Sequence, residues 1–89
     1  MNPTQVSSKS QVAVVIGIDL AKDHCDVVGY GANNKICLTK CGCSYPKLME
    51  MLSNMPSAVV LMEACKGSMF RARAIANLGH DARLVKGSD

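Results

Sequence analysis

Asp19 and Glu63 each close a run of apolar residues. Val12-Ala-Val-Val-Ile-Gly-Ile18 precedes the first acid, and Ala58-Val-Val-Leu-Met62 precedes the second. Short, β-branched runs of this kind suit strands of a buried sheet. If the two strands are parallel neighbours, both carboxylates project at one sheet edge, the carboxyl end at which α/β proteins place their sites. Two carboxylates a few ångströms apart repel one another, so either one holds its proton or a cation sits between them. Hard ions such as Mg²⁺ prefer such oxygens, keep several waters, and combine one or two carboxylates with substrate phosphate. That is the core of a two-metal phosphoryl-transfer site, with ions about 3.5–4 Å apart. The ordinary fate of a strand-terminal acid is a helix cap, a turn or a solvated charge, and the spacing alone leaves both readings open. Two further acids would complete a metal site, and spacing picks out none. Asp23 lies in a turn that it can cap, and Asp26 alternates with His24 and Val28 and is expected in solvent. Asp81 follows a helix end, and Asp89 is terminal.

The elements that must position these acids follow from patterning. Residues 1–11 are polar and read as a flexible lead. Val12–Leu20 reads as a central strand covered on both faces. Residues 24–30 and 35–41 read as two more strands, joined by a Gly31-Ala-Asn-Asn34 turn, and the three make an antiparallel meander. Ser44 is an N-cap candidate with Pro46 in the first turn. Leu48, Met51, Leu52 and Met55 then mark one helical face, and Pro56 ends the helix. After the strand ending at Glu63, Gly67 and Ser68 open a second helix over 69–78 with Gly79 at C′. Ala82–Val85 is the last strand. The order βββαβαβ predicts an α/β fold, a mixed sheet with helices packed on it, in which the fourth strand lies parallel to the first.

Composition narrows the class. The chain has 89 residues, 48% hydrophobic and 19% charged, which fits one small domain and excludes a disordered tail. One Phe, two Tyr and no Trp leave an aliphatic core. No apolar run approaches the ~20 residues of a membrane span, and the polar start lacks a signal-peptide core. The expectations are a cytoplasmic location and reduced cysteines. A net charge of +3 permits nucleic-acid binding without requiring it.

Other residues admit competing readings. Cys37, Cys41 and Cys43 share parity and would face one side of an unbroken strand, but C-x₃-C-x-C without a nearby His matches zinc spacing poorly. Packing is the expected role of Cys25 and Cys65. His24 and His80 fall in turns and are expected at the surface. Lys66, Arg71, Arg73, Arg83 and Lys86 can touch phosphates, although a solvated helix face is the ordinary reading of Arg71 and Arg73. Met51 and Met55 read as core.

Three segments carry a resemblance. Gly17-Ile-Asp-Leu-Ala-Lys-Asp23, Met62-Glu-Ala-Cys65 and Leu78-Gly-His-Asp-Ala-Arg-Leu-Val85 resemble, in order and spacing, the N-terminal part of insertion-sequence transposases with a RuvC-like DEDD domain, the family that includes Piv-type DNA invertases. The similarity runs from about Val14 to Val85. It implies a ribonuclease-H-like fold and metal-dependent DNA strand cleavage and transfer, with Asp19 as the first acid, Glu63 as the second, and Mg²⁺ as the cofactor. It also implies DNA as a partner and, in several members, a structured guide RNA.

The departures are equally informative. The third and fourth acids of that family lie downstream of the strand matching Ala82–Val85, and Asp89 is not assigned to either. The final helix and the serine-bearing C-terminal domain have no counterpart. The expectation is a truncated copy, with residues 12–89 forming a partial domain that holds Mg²⁺ weakly or not at all and is inactive alone. A sheet lacking that helix is expected to self-associate. The alternatives are a non-catalytic module that binds DNA or an intact transposase, and a fragment of an actin-like or sugar-kinase-like ATPase. The latter usually follows its Asp with Gly and Thr or Ser, a pattern that Ala21-Lys22-Asp23 does not fit.

Overall fold

Apolar residues at every second position of successive strands build a sheet with one oily face, and two helices cover that face. The computed structural model describes residues 12–86. Its strands are β1 (Ala13–Leu20), β2 (His24–Gly31), β3 (Ile36–Ser44), β4 (Val59–Glu63) and β5 (Asp81–Val85), with helices α1 (Tyr45–Ser53) and α2 (Ser68–Asn77). The expected element order is present. The lead expected over residues 1–11, and Asp89, lie outside the described residues.

The five strands form one mixed sheet in the order β3-β2-β1-β4-β5. β1 pairs antiparallel with β2, and β2 with β3. β4 lies parallel to β1 and to β5. The expected parallel neighbourhood of the first and fourth strands is therefore observed.

α1 starts where the sequence places it. The Ser44 side chain accepts a hydrogen bond from the Lys47 backbone N–H at 3.4 Å, and Pro46 occupies the first turn, where its missing N–H costs nothing. Leu48 and Leu52 are fully buried against the sheet. They meet Ile16 and Ile18 of β1, Val27 of β2, Val60 and Met62 of β4, and Ile75 of α2 in one core. Each such side chain contributes roughly 1.5–3 kcal/mol by leaving water.

Two expectations are corrected. β1 is covered on one face: Ile16 and Ile18 are buried, while Val14 is exposed and Val15 only half-buried. The reason is that α1 and α2 both feed the same core, so the opposite face of the sheet stays open among the described residues. The parity of Cys37, Cys41 and Cys43 is also broken. Cys25 pairs with Cys43 but Val27 pairs with Lys40, so both Cys41 and Gly42 stand opposite Asp26. Gly42 has φ 63°, the left-handed conformation that suits Gly at such a bulge.

Candidate functional site

Strand pairing brings the two sequence-predicted acids together at the backbone level. The β1–β4 register reaches Ile18 beside Met62, so the next residues on these parallel strands, Asp19 and Glu63, are neighbours at the carboxyl edge. Ile18 and Met62 point into the core. Alternation therefore turns Asp19 and Glu63 to the open face, and both are exposed. They line a shallow depression of about 530 Å³, whose floor includes Gly17, Val28 and Leu61.

A third acid joins the row. Asp26 of β2 stands directly opposite Asp19. Its carboxylate accepts a hydrogen bond from the Gly42 N–H at 2.8 Å, so the β3 bulge holds it. Asp26, expected in solvent from its alternation with His24 and Val28, is exposed. Its place opposite Asp19 could have been found by counting back from the tight Ala21–Asp23 turn.

The donor chemistry suits a hard divalent ion in kind, since Asp19 and Glu63 offer only carboxylate oxygens. The set is short in number. Among the described residues, no group of three or more His, Cys, Asp or Glu side chains is placed to hold a metal ion. The cysteines likewise form no ligand set, and all five are free thiols. Cys25 is fully buried, and its Sγ donates to the Cys43 carbonyl at 3.5 Å. Burial, reinforced by Cys43, pushes this thiol up to about 11, which makes it a packing residue rather than a nucleophile.

His80 is the clearest residue that sequence reasoning misplaced. It is buried, not at the surface. Its Nδ1 accepts from the Ala58 N–H at 3.1 Å, so Nε2 carries the proton and donates to the Leu52 carbonyl at 2.7 Å. The ring thus joins the end of α1 to the approach to β4.

Arg71 is also not a freely solvated helix residue. It is half-buried, with Cζ 3.6 Å from the centroid of the Tyr45 ring. Tyr45 is buried, and its O–H donates to the Ala21 carbonyl. Arg73 is exposed, as expected. Arg83 is occupied by Asp81, with Nη2 2.7 Å from its carboxylate, and this partner holds the Asp81 carboxyl below its ordinary range.

Among the described residues, no helix is long and apolar enough to cross a membrane. No family model and no solved structure matches the chain. The chain is 35% identical over 71 residues to the transposase for insertion sequence element IS1328 of Yersinia enterocolitica. The match covers 80% of this chain and 21% of that protein, so the chain spans about a fifth of the relative's length. Over the stretch it covers, this likeness supports relating the chain to transposases.

Proposed function

We propose that the chain is the N-terminal part of a transposase with a RuvC-like DEDD domain of ribonuclease-H-like fold, and that the complete protein cleaves and joins DNA during transposition. In this reading Asp19 and Glu63 are the first two acids of the site and would hold Mg²⁺. The observation that carries it is the parallel β1–β4 register, which makes the two acids neighbours on one open sheet edge. The transposase relative and the βββαβαβ order support it independently.

A bound Mg²⁺ would supply charge stabilisation at phosphoryl oxygens. The chain's own contribution is positional. The hydrogen-bonded strands fix where the two carboxylates sit, and the helix-covered core beneath keeps those strands in register. Asp26 adds negative potential beside Asp19 while its own oxygen is engaged by Gly42. With two carboxylates and no third ligand among the described residues, this stretch binds Mg²⁺ weakly and does not cleave DNA by itself.

Calorimetric titration of the 89-residue chain with Mg²⁺ and Mn²⁺ tests the assignment. Weak binding is expected, with loss in Asp19→Asn and in Glu63→Gln. Binding unchanged in both variants would remove the acids from the site, and robust DNA cleavage by this chain would overturn the inactive-fragment reading.

The open sheet face favours a second role. Val15, Val28, Leu61 and the exposed Tyr30 and Val85 present apolar surface opposite the core. Such a surface supports association with a second copy or with an intact transposase. Sedimentation at rising concentration reads this directly, and a strict monomer would exclude self-association.

A further inference from the structure

The carboxyl edge that carries the acids on its open face carries cations on its other side. Each strand repeats one pattern: Asp19 is followed three residues later by Lys22, and Glu63 three residues later by Lys66. Beyond the strand ends, Lys22, Lys66 and Arg71 line one cleft of about 420 Å³, walled by Tyr45 and Gly67. Among the described residues no carboxylate lines this cleft; Asp23 borders the adjoining depression that shares Lys22 and Arg71.

The cleft is held in place from several directions. Tyr45 anchors β1 through its hydrogen bond to Ala21 and supports Arg71 from beneath through its ring. The loop carrying Lys66 is fixed by buried Ser68, whose Oγ donates to the Cys65 carbonyl at 2.7 Å and accepts from the Cys65 N–H at 3.0 Å. Gly67, at φ 87°, opens α2 without a capping side chain; the Ser68 N–H donates to the Cys65 carbonyl at 3.0 Å, and the next two N–H groups of the first turn, of Met69 and Phe70, have no side-chain cap. Arg71 is half-buried and stacked, yet among the described residues no carboxylate lies within ion-pairing distance of it. A planar guanidinium oriented in this way, beside two lysines, matches the oxygens of a phosphate.

Phe70 indicates which phosphate. It is 68% exposed, and Arg71 Cζ lies 5.6 Å from its ring. An exposed aromatic beside a cationic groove is the arrangement by which proteins hold single-stranded nucleic acid, with backbone on cations and a base on the ring. We propose that Lys22, Lys66 and Arg71 bind a backbone phosphodiester of a single nucleic-acid strand, with an adjacent base stacked on Phe70. This deepens the transposase reading and rests on it only for the biological origin of the strand; the recognition chemistry stands on the cleft.

The test is fluorescence anisotropy of a short single-stranded DNA oligonucleotide with the full chain over a series of salt concentrations, without divalent ions. Wild-type binding should weaken steeply with salt. The double variant Lys22→Gln, Lys66→Gln should lose roughly tenfold in affinity, and its log–log salt slope should fall by about 1.4, from two lost phosphate contacts on a single strand. Phe70→Ala should also lose about tenfold. These side chains are exposed, so folding is preserved, and a far-ultraviolet spectrum verifies it. Arg73→Gln, on an exposed position of the same helix, should bind as wild type. Equal losses in Arg73→Gln and in the lysine variant would reduce the effect to general charge and overturn the proposal. If pyrophosphate displaces the strand while Phe70→Ala is without effect, the occupant is a free phosphate compound and the nucleic-acid assignment fails. Asp19→Asn separates the two readings. Loss of Mg²⁺ binding in that variant with intact strand binding supports both sites. Strand binding sensitive to the cleft in a chain that never binds Mg²⁺ sinks the metal assignment alone, and Mg²⁺ binding without cleft-dependent strand binding sinks the cleft alone.

Discussion

The two faces of the sheet are built from alternate residues of the same strands, and they do different work. On the covered face, Ile16, Ile18, Cys25, Val27, Val60 and Met62 are buried under α1 and α2. Among the described residues, no buried side-chain nitrogen or oxygen there lacks a hydrogen-bond partner. On the open face the neighbouring positions hold Asp26, Asp19 and Glu63 in a row, with half-buried Val15, Val28 and Leu61 behind them. The covered face supplies stability. The open face spends some of it, because like charges on adjacent strands repel. Positions one residue apart therefore answer to different constraints, and mutations should separate them.

The sharpest contrast is expected in the core. Leu48→Ala should cost about 2–5 kcal/mol in urea unfolding, whereas Leu61→Ala on the open face should cost less than about 1 kcal/mol. Comparable costs would mean that the open face is covered in solution. Next comes His80→Ala, which strands the Ala58 N–H and the Leu52 carbonyl and should cost about 2–3 kcal/mol in the same measurement. A neutral result would show that water replaces the ring.

The third expectation concerns pH. The folded Cys25 thiol titrates near 11 against an ordinary value of 9.0. As pH rises past 9.0, the unfolded chain ionises first, so this contribution is complete below that pH and is lost as pH approaches about 11. Tyr45, raised chiefly by burial, acts in the same direction above its ordinary 10.0. Thermal unfolding across this alkaline window should show falling stability in wild type and a shallower fall in Cys25→Ala. Identical slopes would assign the alkaline loss to Tyr45. The smallest effect is expected at the acids, where Asp19→Asn should change unfolding free energy by less than about 0.5 kcal/mol while removing Mg²⁺ binding.

What could be read in advance depended on how far each residue's partners lie along the chain. Ser44 and Pro46 declare the start of α1 because a cap and its recipient are three residues apart. Asp19 and Glu63 were legible because apolar runs of strand length end at each, and the parallel arrangement follows from the connecting helix. His80 was not legible, since its partners lie 22 and 28 residues away and no local pattern announces them. Arg71 was misread for the same reason, because helix periodicity says nothing of Tyr45. The apolar continuity of β1 was a weaker guide: its open face carries Val15 and Gly17 in place of polar residues, so the run stays apolar although only one face is covered. The cysteine parity failed at two irregularities of β3, one at Cys41–Gly42 opposite Asp26 and one at Cys37, between the Leu38 and Ile36 pairings.

One further consequence follows from the short outer strand β5. Only five residues long, it presents Asp81 and Arg83 locked to each other on its exposed side. Extending the sheet by another strand at that margin would require stripping hydration from both partners, which is the protection that natural sheets use against ribbon-like growth. The β5 margin is thus guarded against lengthening sideways, while among the described residues the broad face of the sheet stays open to being capped from above.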